Sequence, residues 1–232
     1  SVSGETLTER PTANVASLLQ GQVPGLQVTQ NTGQPGSEGT SMQLRGMGTF
    51  SSAGTGPMVL VDGVAGSLSA LSPNEIESIS VLKDAASAAI YGARAANGVI
   101  LVTTKSGKKG KMSVSYHVNT GWQSATVLPE LITSSVEYME MYNAMADRVP
   151  GKRKYSEDYI DLYRDPNRDK TLYPDYDWIG ETFKTGFTHN HSLTASGGSD
   201  KVLYNVNFSY LNQDGILPGH GYERFTGRSN IE

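Results

Sequence analysis

Two stretches of this chain alternate so regularly that they read as long strands with one apolar and one polar face. In "MSVSYHVNTGW" the even positions carry Met112, Val114, Tyr116, Val118, Thr120 and Trp122, with Ser113, Ser115, His117, Asn119 and Gly121 between them. In "VLYNVNFSY", Val202, Tyr204, Val206, Phe208 and Tyr210 alternate with Leu203, Asn205, Asn207 and Ser209. A period of two sends successive side chains to opposite faces of a strand. Three settings suit such strands: a half-buried sandwich, a twisted ribbon, or a transmembrane barrel with lipid outside and a polar lumen inside. A length of about 9 to 11 residues favours the barrel, being what a tilted strand needs to cross a bilayer. Tyr116, Trp122, Tyr204 and Tyr210 suit its interfacial girdles. The pattern alone leaves the three open.

Residues 1 to 110 follow another rule and read as a small α+β domain. Asn14 is placed to cap a short helix with Val15, Leu18 and Leu19 on one face, and Gly21 to stop it. "GLQVTQ" reads as a strand with Leu26 and Val28 on one side, and "MQLRG" as another with Met42 and Leu44. Met58 to Val61 and Val99 to Val102 are continuously apolar, which predicts strands covered on both faces at the centre of a mixed sheet. Asp62-Gly63 supplies a turn between strands. A helix from Asp84 to Tyr91, ended by Gly92, is expected to lie on that sheet. The small side chains of Ala85, Ala86, Ala88, Ala89, Ala93, Ala95 and Ala96 would let this segment approach the sheet closely.

Between the two alternating stretches, Ser134 and Glu137 form a capping box for a helix whose Tyr138, Met141, Tyr142 and Met145 make a stripe expected to pack. A second helix is expected over Glu157 to Tyr163, before Asp165-Pro166.

Composition narrows function. A net charge of -4 gives no global field for phosphates, and Lys105, Lys108, Lys109 and Lys111, interleaved with glycine, read as a solvated turn, so no nucleic-acid partner is expected. With no cysteine there is neither a disulfide framework nor thiolate chemistry. Residues 1 to 20 lack the apolar core of a signal peptide, and no apolar run approaches a spanning helix. "GMGTFS" and "GTGPMV" lack the third glycine of a dinucleotide fingerprint, and "GKKGKM" lacks the spacing of a P-loop. His189 and His191 share a strand face, yet spacing supplies no third ligand and no GxSxG elbow occurs. No catalytic residue, cofactor or metal is expected. Asn207 in "NFS" matches a glycosylation acceptor but lies mid-strand, where attachment would be obstructed.

Longer ordered stretches carry a resemblance. "SLLQGQVPGLQVTQNTGQPGSEGTSMQLRGMGTF", "PMVLVDGV", "LSPNEIESISVLKDAASAAIYGARAANGVILVTTKSGKKGK", "YDWIGETFKTGFTHNHSLTASGGSDKVLYNVNFSYLNQDGIL" and "YERFTGRSNI" resemble the SusC/RagA family of TonB-dependent outer-membrane receptors. The resemblance implies a plug domain over residues 1–110, then the first strands of a large barrel of roughly 22 strands over 111–232, with a helical insertion at about 133–165. It implies a nutrient importer of the outer membrane, not an enzyme. The plug would gate uptake of a glycan or peptide captured with a SusD-like surface lipoprotein, and the TonB complex would pull on the plug through a region absent from this chain.

By the same resemblance, Arg45 in "LRG" and Arg94 in "YGARAANG" would pair with barrel carboxylates as latches, because an unpaired buried guanidinium is costly. The loop Gly46 to Gly56, with Met47, Thr49, Phe50, Ser51 and Ser52, would face the substrate. The turn "KSGKKG" would mark where plug gives way to barrel. The chain then reads as a fragment of a longer receptor whose open strand edges favour strand addition between copies or local disorder. A stand-alone carbohydrate-binding or adhesive envelope β protein is the competing reading, and an envelope hydrolase a more distant third.

Overall fold

The computed structural model describes residues 1–8, 14–44, 56–83, 89–92, 95–152 and 154–232. They fall into two compact units, one formed by Ser1–Trp122, Phe187–Gly215 and His220–Glu232, the other by Gln123–Gly186 and Ile216–Gly219.

The first unit begins with strand β1 (Val2–Ser3), helices α1 (Gly4–Thr8) and α2 (Val15–Leu18), and strands β2 (Leu26–Gln30) and β3 (Thr40–Leu44). Strands β4 (Met58–Val61), β5 (Val64–Ala65), β6 (Ile76–Leu82) and β7 (Val99–Thr104) follow. Five of these form a mixed sheet in the order β1-β6-β7-β4-β5. Strand β7 is its centre, parallel to β4 (Met58↔Val99 to Val61↔Val102) and antiparallel to β6. The continuous run explains the position: Val99, Ile100 and Val102 are at most 2% exposed. Alternation along the run divides the core. Ile100 and Val102 join Ile76, Ile79, Leu7, Val15, Leu18 and Leu26 on one face, while Val99 joins Leu60 and Ala95 on the other.

Strand β4 is less covered than its apolar run predicts, since only Leu60 is buried and Met58, Val59 and Val61 are half-buried. Its outer neighbour, β5, has only two residues and shields little. The turn between them has positive φ at both Asp62 (49°) and Gly63 (84°), the geometry a two-residue hairpin needs. Ala95 closes the thinner face of the sheet, as a small side chain allows. Residues 84–88 of the expected Asp84–Tyr91 helix lie outside the described residues; Ala89–Tyr91 is a 3-10 turn, and Gly92 follows at φ 75°.

Asn14 caps α2 as expected, its Oδ1 accepting from Ala16 N at 2.9 Å. Its amide also donates to Thr40 Oγ1 at 2.7 Å and to Glu38, tying the helix to β3. Asn14→Ala is therefore expected to cost about 1–2 kcal/mol, the upper part of the capping range, read as a lower thermal midpoint of the protein in detergent. A midpoint equal to wild type would show that the cap is dispensable.

Strands β8 (Gly110–Gln123), β9 (Gly186–Gly198), β10 (Leu203–Asp214) and β11 (Gly221–Ile231) form an open antiparallel sheet, ordered β11-β10-β9-β8. Its patterning is inverted relative to a sheet in water. Asn205, Asn207, Ser209 and Gln213 of β10 are buried, whereas Val206 and Phe208 are 45% and 53% exposed. Strands β9 and β11 agree, with Ser192 buried and Leu193 and Phe225 exposed, whereas β8, at the edge of the sheet, is exposed on both faces from Gly110 to Val118. Two of these buried groups are paired through their donors: Asn207 donates to Ser192 Oγ (3.0 Å) and Thr194 Oγ1 (2.7 Å), and Ser209 to Asn190 Oδ1 (3.1 Å), while Asn207 Oδ1 has no partner among the described residues. These bonds also place Asn207 where no glycan could attach.

The second unit contains helices α3 (Ser135–Ala146), α4 (Glu157–Arg164) and α5 (Trp178–Thr182). Ser134 caps α3 by accepting from Glu137 N at 3.5 Å. The stripe expected to pack is mostly not the packed one. Tyr138, Met141 and Met145 are exposed, and the buried positions are Met139 and Ala146, with Tyr142 half-buried. The burial face is set by Asn143, whose side chain donates to Tyr155 O and accepts from Tyr155 N, both at 2.9 Å. That pair of hydrogen bonds orients α3 one position away from the stripe.

Candidate functional site

Strand β11 carries the chemistry that joins the two sheets of the first unit. Its even positions, Tyr222, Arg224, Thr226, Arg228 and Asn230, are half-buried, and the odd ones between them are exposed. A period of two thus points both arginines and the asparagine to the covered face.

Arg228 meets two carboxylates of the mixed-sheet region. Its Nε donates to Glu75 Oε2 at 3.3 Å, and its Nη1 lies 3.7 Å from Asp62 Oδ2. The Glu75 side chain is only 2% exposed, held by a 3-10 turn (Pro73–Glu75) at the start of β6. Asp62 sits at the β4–β5 turn and accepts from Thr104 N (2.9 Å) and Thr104 Oγ1 (2.7 Å). Asn230 completes the chain of contacts, donating to Thr104 Oγ1 at 2.7 Å and to Lys105 O at 3.1 Å. Higher on β11, Arg224 donates to the carbonyls of Ser69 and Leu71, at the end of the Leu68–Ala70 turn.

A second contact is steric. A Cβ on Gly107 would lie 2.4 to 2.8 Å from backbone atoms of Tyr204, so the lysine-rich turn runs against β10 where only glycine fits. Beside Arg224, a cavity of about 320 Å³ is lined by Asn14, Glu38, Thr40, Ser69 and Tyr222, among others.

The Arg228–Glu75 pair is finely balanced. Burial pushes the Glu75 carboxyl above its ordinary 4.5, and the charge and hydrogen bond of Arg228 only partly oppose it. Glu75 Oε1 has no partner among the described residues. A folded pKa above the unfolded one means that the folded state holds the proton more tightly. The resulting stability is fully present below about pH 4.5 and is lost as pH rises through the folded pKa. Glu75→Gln is therefore expected to flatten the pH dependence of the thermal midpoint over that window. Parallel profiles for wild type and variant would assign the dependence to other groups.

Arg45, Arg94 and the loop residues Met47, Thr49, Phe50, Ser51 and Ser52 lie outside the described residues. The described contact runs in the opposite sense to the one expected of Arg45 and Arg94, with arginines on the long strand and carboxylates in the mixed-sheet domain. Arg224 and Arg228 were visible in "YERFTGRSNI" as a same-face pair four residues apart, but nothing in "SPNEIESI" marks Glu75 as buried.

His189 and His191 face the exposed side of β9. His191 Nε2 is 3.1 Å from His189 Nδ1, and Tyr116 Oη is 2.6 Å from His191 Nδ1. The two rings belong to an aromatic row running Phe225–Tyr210–His191–Tyr116 across all four strands. Among the described residues, no group of three or more His, Asp or Glu side chains could hold a metal ion. Among the described residues no helix is long and apolar enough to cross a membrane, which says nothing of strands.

A mixed-sheet domain held through polar contacts against the inner face of inside-out antiparallel strands is the architecture of a TonB-dependent receptor. Residues 1–99 match the TonB-dependent receptor plug domain. The TonB-dependent receptor P26 of Formosa agariphila is 33% identical over 239 residues, covering 100% of this chain and 23% of its own length. The TonB-dependent receptor SusC of Bacteroides thetaiotaomicron is 30% identical over 241 residues, covering 99% of this chain and 22% of its own. The solved RagAB peptide transporter superposes with a TM-score of 0.82 at 30% identity, over 99% of this chain and 28% of that one. The chain belongs to the SusC/RagA family of TonB-dependent receptors, and it spans about a fifth of the length of these curated relatives.

Proposed function

We propose that this chain is the gating portion of an outer-membrane importer, with residues 1–110 as the plug and 111–232 as the first part of the barrel wall. The observation that carries the proposal is the inverted strand β10, which buries Asn205, Asn207 and Ser209 while presenting Val206 and Phe208 outward. In water both halves of that pattern are unfavourable; with lipid outside and a polar interior both become favourable.

The plug blocks the path and opens when the TonB complex pulls on it, without catalysis. Arg224 and Arg228 hold it to the wall, and the marginal balance at Glu75 suits a contact that has to be released. Arg45 and Arg94 are proposed as further latches, and Met47, Thr49, Phe50, Ser51 and Ser52 as the substrate-facing loop. Short turns of outer-membrane barrels face the periplasm and long connections face outward. The turn Ser199–Val202 then lies on the periplasmic side and the long β8–β9 connection outside. A glycan captured with a SusD-like lipoprotein is the proposed cargo, as the kinship with SusC suggests; the likeness to the RagAB peptide importer makes peptides the alternative.

Uptake of labelled oligosaccharides and peptides, by cells carrying the full-length receptor and its lipoprotein, tests this. Glycan uptake that disappears without TonB is expected. Uptake of peptides alone would overturn the cargo, and TonB-independent uptake the mechanism.

A further inference from the structure

The second unit concentrates aromatic residues. Seven of the chain's 12 tyrosines lie between Gln123 and Gly186, at 138, 142, 155, 159, 163, 173 and 176. Six of them form a continuous ladder from Tyr138 to Tyr173, with ring centroids 5.4 to 6.4 Å apart. Against part of it lies a cleft of about 430 Å³, its walls including Tyr138, Tyr159, Tyr163, Tyr176 and Trp178. Trp178 is 73% exposed and stands 5.9 Å from Tyr176. So large an indole left in the open beside other aromatics is unusual unless something covers it.

Hydrogen bonds of residues in its walls brace the cleft. The Asn143–Tyr155 clamp joins α3 to the start of α4. Asp175 Oδ1 accepts from Ser135 N at 2.6 Å, and Ser135 Oγ donates to Pro174 O at 3.2 Å, fixing the opposite wall. The arginines nearby are already engaged by carboxylates: Arg164 binds Glu140, Glu157 and Asp161, and Arg168 binds Asp175. None of the described residues lining the cleft carries a charge. Tyr163, pushed up to about 12 chiefly by its hydrogen bond to Tyr159, keeps its hydroxyl proton throughout the physiological range.

Flat apolar faces bordered by hydroxyls, with no charge, match one kind of molecule. A pyranose ring offers a C–H face to an aromatic ring and a rim of hydroxyls to tyrosine and serine hydroxyls. A sulfated or uronic sugar would find no cation among the described lining residues. An extended peptide would find neither a strand edge to extend nor a charge to pair, because the lining contains no strand. We infer that the cleft between α3, α4 and α5 is a binding site for a neutral oligosaccharide. The inference deepens the importer reading, on which it rests for its cargo class.

The test uses the full-length receptor in detergent, titrated calorimetrically with maltohexaose, laminarihexaose and xylohexaose, and with a sulfated carrageenan hexasaccharide and a hexapeptide as competitors. At least one neutral probe is expected to bind, and Trp178→Ala and Tyr138→Ala each to weaken it about tenfold or more. Trp178→Phe, which keeps an aromatic face, is expected to stay within about threefold of wild type. Both positions are substantially exposed, so truncation opens no core. Absence of neutral-sugar binding, binding indifferent to both alanine variants, or a preference for the anionic or peptide probe would overturn the inference. Uptake in the same strains separates the two readings. TonB-dependent glycan uptake unaffected by Trp178→Ala removes the cleft alone; cleft-dependent binding without TonB-dependent uptake removes the importer alone.

Discussion

Arg228→Ala is expected to weaken the hold of β11 on the plug by about 2–3 kcal/mol. This is below the 3–5 kcal/mol typical of breaking a fully buried pair, because a third of the Arg228 side chain is exposed and its charge is screened. The loss arises mainly at Glu75, whose side chain is 2% exposed and would lose the guanidinium that donates to it. Glu75 would respond by taking up a proton at a higher pH than before, limiting the damage at acidic pH. Adding Glu75→Gln should recover much of the loss, since a neutral amide in that site leaves no stranded charge. A double-mutant cycle on the thermal midpoint of the receptor in detergent measures this. Simple additivity of the two substitutions would mean that the pair does not couple and that Arg224 and Asn230 hold the contact.

Phe208→Arg is expected to cost about 2–4 kcal/mol of barrel stability, the penalty for a cation on the lipid face near the bilayer midplane. Phe208 sits centrally in β10, opposite Gly227 on one side and Leu193 on the other. If that face met water, replacing a phenyl ring that is 53% exposed by arginine would be close to neutral. The amount of folded receptor recovered in washed outer membranes distinguishes the two, with Phe208→Leu as the tolerated control. Normal recovery of Phe208→Arg would contradict a lipid-facing assignment.

These two results bear on parts of the molecule that were unequally legible in the sequence. The strands of the open sheet could be read from alternation, because one rule governs every residue along them. Which face met which medium could not, since a period of two is the same for sandwich and barrel. It took the burial of Asn205, Asn207 and Ser209 to decide. The centre of the mixed sheet was legible at Val99–Val102, where apolar residues are continuous, and less so at β4, whose coverage depends on the shortness of a neighbour. The α3 stripe misled because Tyr138 and Met141 have the chemistry of packed residues, while the burial face was set by a polar clamp at Asn143. The Glu75–Arg228 contact spans more than a hundred and fifty positions of sequence, and a glutamate in a turn carries no local mark of burial.

The central claim is that β8–β11 turn their apolar face to lipid and their polar face to the plug. Site-directed spin labelling of the full-length receptor in bilayers, one cysteine at a time from 204 to 211 on a background otherwise free of cysteine, tests it most directly. Labels at Tyr204, Val206, Phe208 and Tyr210 should relax strongly with oxygen and weakly with a water-soluble nickel chelate. Labels at Asn205, Asn207, Ser209 and Leu211 should be shielded from both. Nickel accessibility at Val206 and Phe208 equal to that of a water-exposed turn would contradict the account.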